Sequence, residues 1–116
     1  CCTHPYWNEN TNTSALRRLE EELGMKNINL TKRNTVEYRS EVPPDLIEHE
    51  VVDIFVGKCK SNHPIEINPN EVLEIKWLSL RQIKEDIKQY PETYTAWIKI
   101  YMKLHAADIF KDTDFL

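Results

Sequence analysis

Leu46-Ile47-Glu48-His49-Glu50-Val51-Val52-Asp53-Ile54-Phe55-Val56 is the stretch on which the fold turns. It reads as a buried β-strand with two carboxylates set into it. From Val51 onward the residues are apolar and β-branched or aromatic, apart from Asp53, which is the composition of a central strand. Glu48 and Glu50 interrupt that pattern. Side chains two apart on a strand share a face, so both carboxylates point one way and His49 the other. Like charges side by side repel, and burial adds a desolvation cost. A metal cation, a basic group or a shared proton could offset that cost. A strand mouth at which both carboxylates are solvated fits the pattern equally well, because Glu-x-Glu on a strand is a weak signal.

The chain around this stretch has 116 residues, which suits one domain or part of one. Its hydrophobic content of 41% is enough for a core. Lys and Arg number 15 against 19 Asp and Glu, a net charge of -4, which argues against a nucleic-acid surface held by bulk charge. A local basic pocket for a phosphorylated small molecule remains compatible with it. No apolar run approaches the roughly 20 residues of a membrane span, and no secretory apolar segment is present. Cys1, Cys2 and Cys59 are an odd number in no disulfide spacing, so a reducing, cytoplasmic compartment is expected. The first residue is Cys rather than Met, and the expectation is a C-terminal portion of a longer product.

Cys1 to Pro5 reads as a short extended piece, because Pro5 restricts His4 to extended geometry. On a strand, Cys2 and His4 would share a face and offer a thiol beside an imidazole. A thiolate can act as base or nucleophile, and imidazole is the commonest metal ligand. A buried small Cys and an incidental His is the plainer alternative. Tyr6 to Thr13 is turn-rich loop. Thr13 or a near neighbour caps a helix to Leu23, with Gly24 as the residue just past its end. Ala15, Leu16, Leu19 and Leu23 fill one arc of that helix. Arg17–Glu21 and Arg18–Glu22 are spaced for ion pairs one turn apart. The second pair lies on the border of the apolar arc, where it could reach a site.

Asn27 to Arg33 is a short strand or connection. Thr35 to Ser40 is a strand carrying Tyr38, either a packed aromatic or a hydroxyl placed in a pocket. Pro43-Pro44 breaks it. The strand from Leu46 runs to about Lys58. Lys60 to Asn70 is loop, with His63 exposed in it. Glu71 to Leu80 reads as another strand, with Leu73, Ile75 and Trp77 alternating onto one face. Ser79 caps a helix from about Leu80 to Gln89, with Ile83 and Ile87 inward. A last helix runs from about Thr95 to Ile109, its apolar positions being Trp97, Ile98, Tyr101, Leu104 and Ala107. Trp97 is either core or the wall of a pocket.

Four motifs in order carry a resemblance: Cys1-Cys2-Thr3-His4-Pro5, then Ala15-Leu16-Arg17-Arg18-Leu19-Glu20-Glu21-Glu22-Leu23-Gly24, then Glu48-His49-Glu50, then Thr95-Ala96-Trp97-Ile98-Lys99-Ile100. Together they resemble type I isopentenyl-diphosphate isomerase, a branch of the Nudix superfamily. Asn68-Pro69-Asn70-Glu71 ahead of Trp77 is similar too. The resemblance spans nearly the whole chain and only the later part of a family member. It implies one Nudix-type domain over residues 1–116. Its fold is α+β with three layers, a mixed sheet between helices, here expected to lack its N-terminal strands.

The activity implied is interconversion of isopentenyl and dimethylallyl diphosphate through a tertiary carbocation. By position, Cys2 and Glu50 would be the acid/base pair, on opposite faces of the double bond. Tyr38 would hydrogen-bond near Glu50, and Trp97 would lend its ring face to the developing cation. His4, Glu48 and Glu50 would ligate one divalent metal, Mg²⁺, Mn²⁺ or Zn²⁺. Glu22 would help hold a Mg²⁺ bound with the diphosphate, and Arg18 would face the diphosphate oxygens as a forked donor. The implied partner is a small isoprenoid diphosphate, with no nucleic acid and no membrane span.

In the resembled family, further histidines and basic residues precede the Cys-x-His segment. His49, His63 and His105 do not stand at matching positions. The general Nudix hydrolase pattern runs Gly-x5-Glu-x7-Arg-Glu-x-x-Glu-Glu-x-Gly. Glu9, Arg17, Glu21, Glu22 and Gly24 match it, whereas Thr3 replaces its first Gly and Arg18 its first helical Glu. The lost helical carboxylate counts against pyrophosphate hydrolysis. A Nudix diphosphate hydrolase and a non-catalytic Nudix-fold domain are the alternative readings.

Overall fold

The computed structural model describes residues 1–110. The class is α+β, and the chain forms two compact units. The first joins Cys1–Lys32 to Phe55–Lys76, and the second joins Arg33–Ile54 to the chain from Trp77 onward.

The first unit is built on helix α1, Thr11–Leu23. The helix starts one turn earlier than the loop composition suggests, because Asn10 is the cap: its Oδ1 accepts from the Thr13 N–H at 2.8 Å. Ser14 is its fully buried position, while Leu16, expected inward, is exposed. Gly24 ends the helix as expected, in the left-handed region at φ 61°. Its N–H donates to the Glu20 carbonyl at 2.9 Å. The extended segment after His63 then takes over the helix end. Glu66 N–H donates to the Leu23 carbonyl at 2.8 Å, and Asn68 N–H to that of Glu22 at 2.9 Å. A Cβ on Gly24 would lie 2.9 Å from the Glu66 carbonyl oxygen, so backbone strain and backbone crowding act together there. Gly24→Ala is therefore expected to cost roughly 2–4 kcal/mol of stability. Chemical denaturation checks it, and a loss below about 0.5 kcal/mol, the size of an ordinary surface change, contradicts it.

Strands β1, Leu30–Val42, and β2, Leu46–Gly57, pair as an antiparallel hairpin through the turn Pro43-Pro44-Asp45. Asp45 takes a positive φ of 57°, a conformation its short polar side chain tolerates. The contacts Thr35–Asp53, at 2.7 Å, and Tyr38–Glu50 belong to one register. The hairpin buries Val36 and Tyr38 on one face. β1 is longer than expected because the Asn27 to Arg33 segment joins it from Leu30.

β2 is not the buried central strand its composition suggests: Leu46, Ile47 and Val51 are all more than half exposed. The sheet of described residues has two strands, so β2 has a hydrogen-bonded neighbour along one side only. Apolar, β-branched composition suits a covered strand but does not supply the cover. The same reasoning corrects Glu71 to Leu80. That segment alternates correctly yet forms no strand, and Leu73 stands 93% exposed. A strand exists only with a ladder partner, and none of the described residues supplies one. His63, expected exposed, is half-buried.

In the second unit, helix α2, Leu80–Gln89, opens with a capping box. Ser79 Oγ accepts from Gln82 N–H at 3.1 Å, and Gln82 Oε1 accepts from Ser79 N–H at 2.8 Å. A 3₁₀ turn, Pro91–Thr93, follows. Helix α3, Ala96–Ile100, capped by Thr95, then widens into a π turn, Tyr101–His105, before α4, Ala106–Ile109. This interruption explains a mismatch. Regular spacing from Tyr101 puts Leu104 inward, but Leu104 and Ala107 are exposed and Ile109 is buried. A π turn closes i→i+5 and absorbs an extra residue, which rotates the following face and brings Ile109 to the inside.

Candidate functional site

In the second unit, β2 carries Glu48 and Glu50 two residues apart, and β1 sends Tyr38 across to both. The Tyr38 hydroxyl lies 3.4 Å from Glu48 Oε2 and 3.4 Å from Glu50 Oε2, so a single phenolic proton serves two carboxylates. The pair shares a face, as the strand period requires. His49 points to the other face and pairs with Glu37, Nε2 to Oε1 at 2.7 Å. Tyr38 itself is only 6% exposed. Burial, followed by the Glu50 and Glu48 charges, pushes its phenol up to about 12.

Two more rings complete this part. Tyr101 meets Tyr38 edge-on, with centroids 6.3 Å apart at 86°. Trp97 tilts against Tyr101 at 5.6 Å and 47°. Edge-to-face geometry is the favourable arrangement for aromatic quadrupoles. Sequence reasoning identified Tyr38 and Trp97 but took Tyr101 only as an apolar helix position. The one available signal was its spacing, four residues after Trp97.

In the first unit, Cys2 and His4 are exposed on a segment without strand pairing, so the shared strand face expected for them is not formed. Helix α1 displays Arg17, Arg18, Glu21 and Glu22. The Arg17–Glu21 pair forms at 3.3 Å, but the tighter partner of Arg17 is Glu9. Arg17 Nε donates to Glu9 Oε2 at 2.9 Å and Nη2 to Oε1 at 3.0 Å, a two-pronged contact. The guanidinium also sits 3.8 Å over the Tyr6 ring. The Arg17 hydrogen bonds hold the Glu9 carboxyl below its usual range.

Arg18 meets a set of three carboxylates: Glu21 at 2.7 Å, Glu22 at 3.3 Å and Glu71 at 3.3 Å. The Arg18 hydrogen bond lowers the Glu21 carboxyl in turn. Arg18 Nε and Glu22 Oε2 are both buried with no hydrogen-bond partner among the described residues. An orphaned donor and an orphaned acceptor on neighbouring turns suit a ligand that carries both an anion and a cation. Glu9 and Glu71 escaped the spacing rules because helix periodicity pairs only residues on the helix. Among the described residues no three His, Cys, Asp or Glu side chains converge closely enough to hold a metal ion. No helix among them is long and apolar enough to cross a membrane.

The tyrosines give a pH test. The Asp86 hydrogen bond raises Tyr94, and burial raises Tyr38 to about 12. A raised folded-state value means that the folded chain holds the proton longer. The stability tied to Tyr38 is complete below its ordinary value of 10.0 and lost as pH rises towards 12. Tyr38→Phe is expected to remove the late part of the phenolate absorbance rise, above the ordinary value of 10.0, and an unchanged curve contradicts the burial of Tyr38.

A profile of the NUDIX domain matches residues 1–98. The chain is 49% identical over 111 residues to a protein of Jannaschia sp. named isopentenyl-diphosphate Delta-isomerase, covering 96% of this chain and 63% of that relative. Proteins of the same name are 44% identical in Dinoroseobacter shibae and 41% identical in Roseobacter denitrificans, where the alignment takes in 95% and 100% of this chain. The chain spans 62% and 66% of the lengths of those two. With residues 1–98 under the family profile, the chain belongs to the Nudix family.

Proposed function

We propose that residues 1–116 act as one Nudix-type isomerase domain that interconverts isopentenyl and dimethylallyl diphosphate. The observation that carries this reading is the Tyr38 hydroxyl held 3.4 Å from both Glu48 and Glu50, beside the Trp97–Tyr101 rings. Moving a double bond by proton addition and loss passes through a tertiary cation. That cation needs fixed negative charge and π faces with water excluded, rather than donors for an oxyanion. Paired carboxylates, Glu48 half-buried and Glu50 exposed, supply the negative charge, and the aromatic wall supplies the π faces.

In this reading Cys2 and Glu50 exchange protons with the hydrocarbon on its opposite faces. A proton enters the terminal carbon of the alkene and another leaves the carbon next to the diphosphate-bearing one, so no net proton is consumed. Tyr38 places its hydroxyl beside the Glu50 carboxylate. Trp97 offers its ring face to the positive charge. Arg18 reaches the diphosphate oxygens, sharing its guanidinium with Glu21, Glu22 and Glu71. The donor chemistry fits divalent cations: Glu22 Oε2 is a buried oxygen without a protein partner among the described residues, and hard cations take oxygen ligands. Glu22 would hold a Mg²⁺ that accompanies the diphosphate; His4, Glu48 and Glu50, the ligand set the resemblance implies for one Mg²⁺, Mn²⁺ or Zn²⁺, do not converge among the described residues, so no step is routed through that cation. When bound, such cations neutralise the charge of the diphosphate and of the paired carboxylates. Three exposed thiols without a disulfide suit a reducing, cytoplasmic setting.

Incubation with isopentenyl diphosphate and Mg²⁺ tests the reading. Formation of an acid-labile allylic diphosphate is expected. Release of phosphate or pyrophosphate instead favours the hydrolase reading and overturns this one.

A further inference from the structure

Tyr101 has no role in the chemistry described so far, yet it touches two groups that do. It is 7% exposed, its ring meets Tyr38 edge-on, and it lies against Trp97. It also sits at the first position of the π turn, a departure from helix geometry that often marks functional places.

The hydrogen bonds of Tyr38 are too long to fix its ring. Both run 3.4 Å, against an optimum of about 2.7–2.8 Å for a hydroxyl donor. One proton divided between two weak contacts sets the direction of the phenol only weakly by hydrogen bonding. Packing therefore decides where the hydroxyl points, and the edge-on ring of Tyr101 is the packing partner the geometry supplies. Tyr101 also lies against Trp97, one turn earlier on the helix, with centroids 5.6 Å apart.

We infer that Tyr101 is a positioning residue, whose ring holds the Tyr38 hydroxyl between Glu48 and Glu50 and fixes the angle of the Trp97 ring face. Its consequence for turnover rests on the isomerase reading, whereas its effect on Tyr38 does not. The contacts the geometry shows are ring to ring, so Phe should keep them and a branched aliphatic residue should not.

The test compares Tyr101→Phe with Tyr101→Leu in the full chain. Without ligand, nuclear Overhauser contacts from the Tyr38 ring to the Glu48 and Glu50 side chains are expected to persist in Tyr101→Phe. They should vanish in Tyr101→Leu while the amide spectrum of the first unit is unchanged. With isopentenyl diphosphate and Mg²⁺, Tyr101→Leu should lower kcat about tenfold, with KM changed by less than about twofold, the scale of one lost aromatic contact. Tyr101→Phe should restore kcat. Overhauser contacts that survive in Tyr101→Leu overturn the inference, as does an equal loss in both variants. A wild-type chain without isomerisation contradicts the proposed function, and the ligand-free spectra still decide the role of Tyr101.

Discussion

Glu50→Gln is expected to lower isomerisation by about 10³–10⁴-fold, the upper part of the range for losing a positioned acid or base. The substitution keeps the size of the side chain and leaves Tyr38 an oxygen to donate to. What it removes is the charge and the exchangeable proton. In the proposed division of labour Glu50 is both proton carrier and cation ligand, so two measurements should move together. Turnover collapses, and bound metal, measured on the purified protein, falls. Glu48→Gln should reduce bound metal as well, but it removes no proton carrier. Turnover in Glu48→Gln that recovers at high metal concentration, and in Glu50→Gln that does not, is the expected contrast. Recovery of Glu50→Gln by added metal alone contradicts its role as proton carrier.

Cys2→Ala is the second large effect, expected at about 10³-fold in turnover with metal content nearly intact. The thiol is exposed on a segment without strand pairing, so its removal leaves no core cavity and little change in stability. That separates it from Glu50→Gln. If one proton carrier works on each face of the double bond, the two variants lose the same reaction for different steps, and the double variant should lose little more than either single one. Full activity in Cys2→Ala would make the assignment of the acid/base pair wrong.

Much of this was legible in the residues, and the failures share a cause. Local signals were read correctly: the helix end at Gly24, the Ser79 cap, the break at Pro43-Pro44, and the common face of Glu48 and Glu50. Each is decided within a few residues by backbone geometry or side-chain period. Strand partners are not decided locally. Leu73, Ile75 and Trp77 alternate as a strand should and form none, and Val51 stands in solvent on a strand that composition made central. The π turn was equally silent, since no spacing rule signals where a helix widens, and with it went the inward turn of Ile109. In the site, Glu48, Glu50, Tyr38, Trp97, Arg18 and Glu22 were singled out by pattern and resemblance. Glu9 and Glu71 stood there only as motif members and Tyr101 only as an apolar helix position, because their contacts with Arg17, Arg18 and Tyr38 form through the tertiary fold.

The most direct measurement of the central claim is the reaction in deuterium oxide. With isopentenyl diphosphate and Mg²⁺, the early product should be dimethylallyl diphosphate with one deuterium in a methyl group and the diphosphate intact. Solvent label in the methyl follows when the terminal carbon takes its proton from a group in exchange with water. Unlabelled carbon together with released phosphate or pyrophosphate contradicts the account.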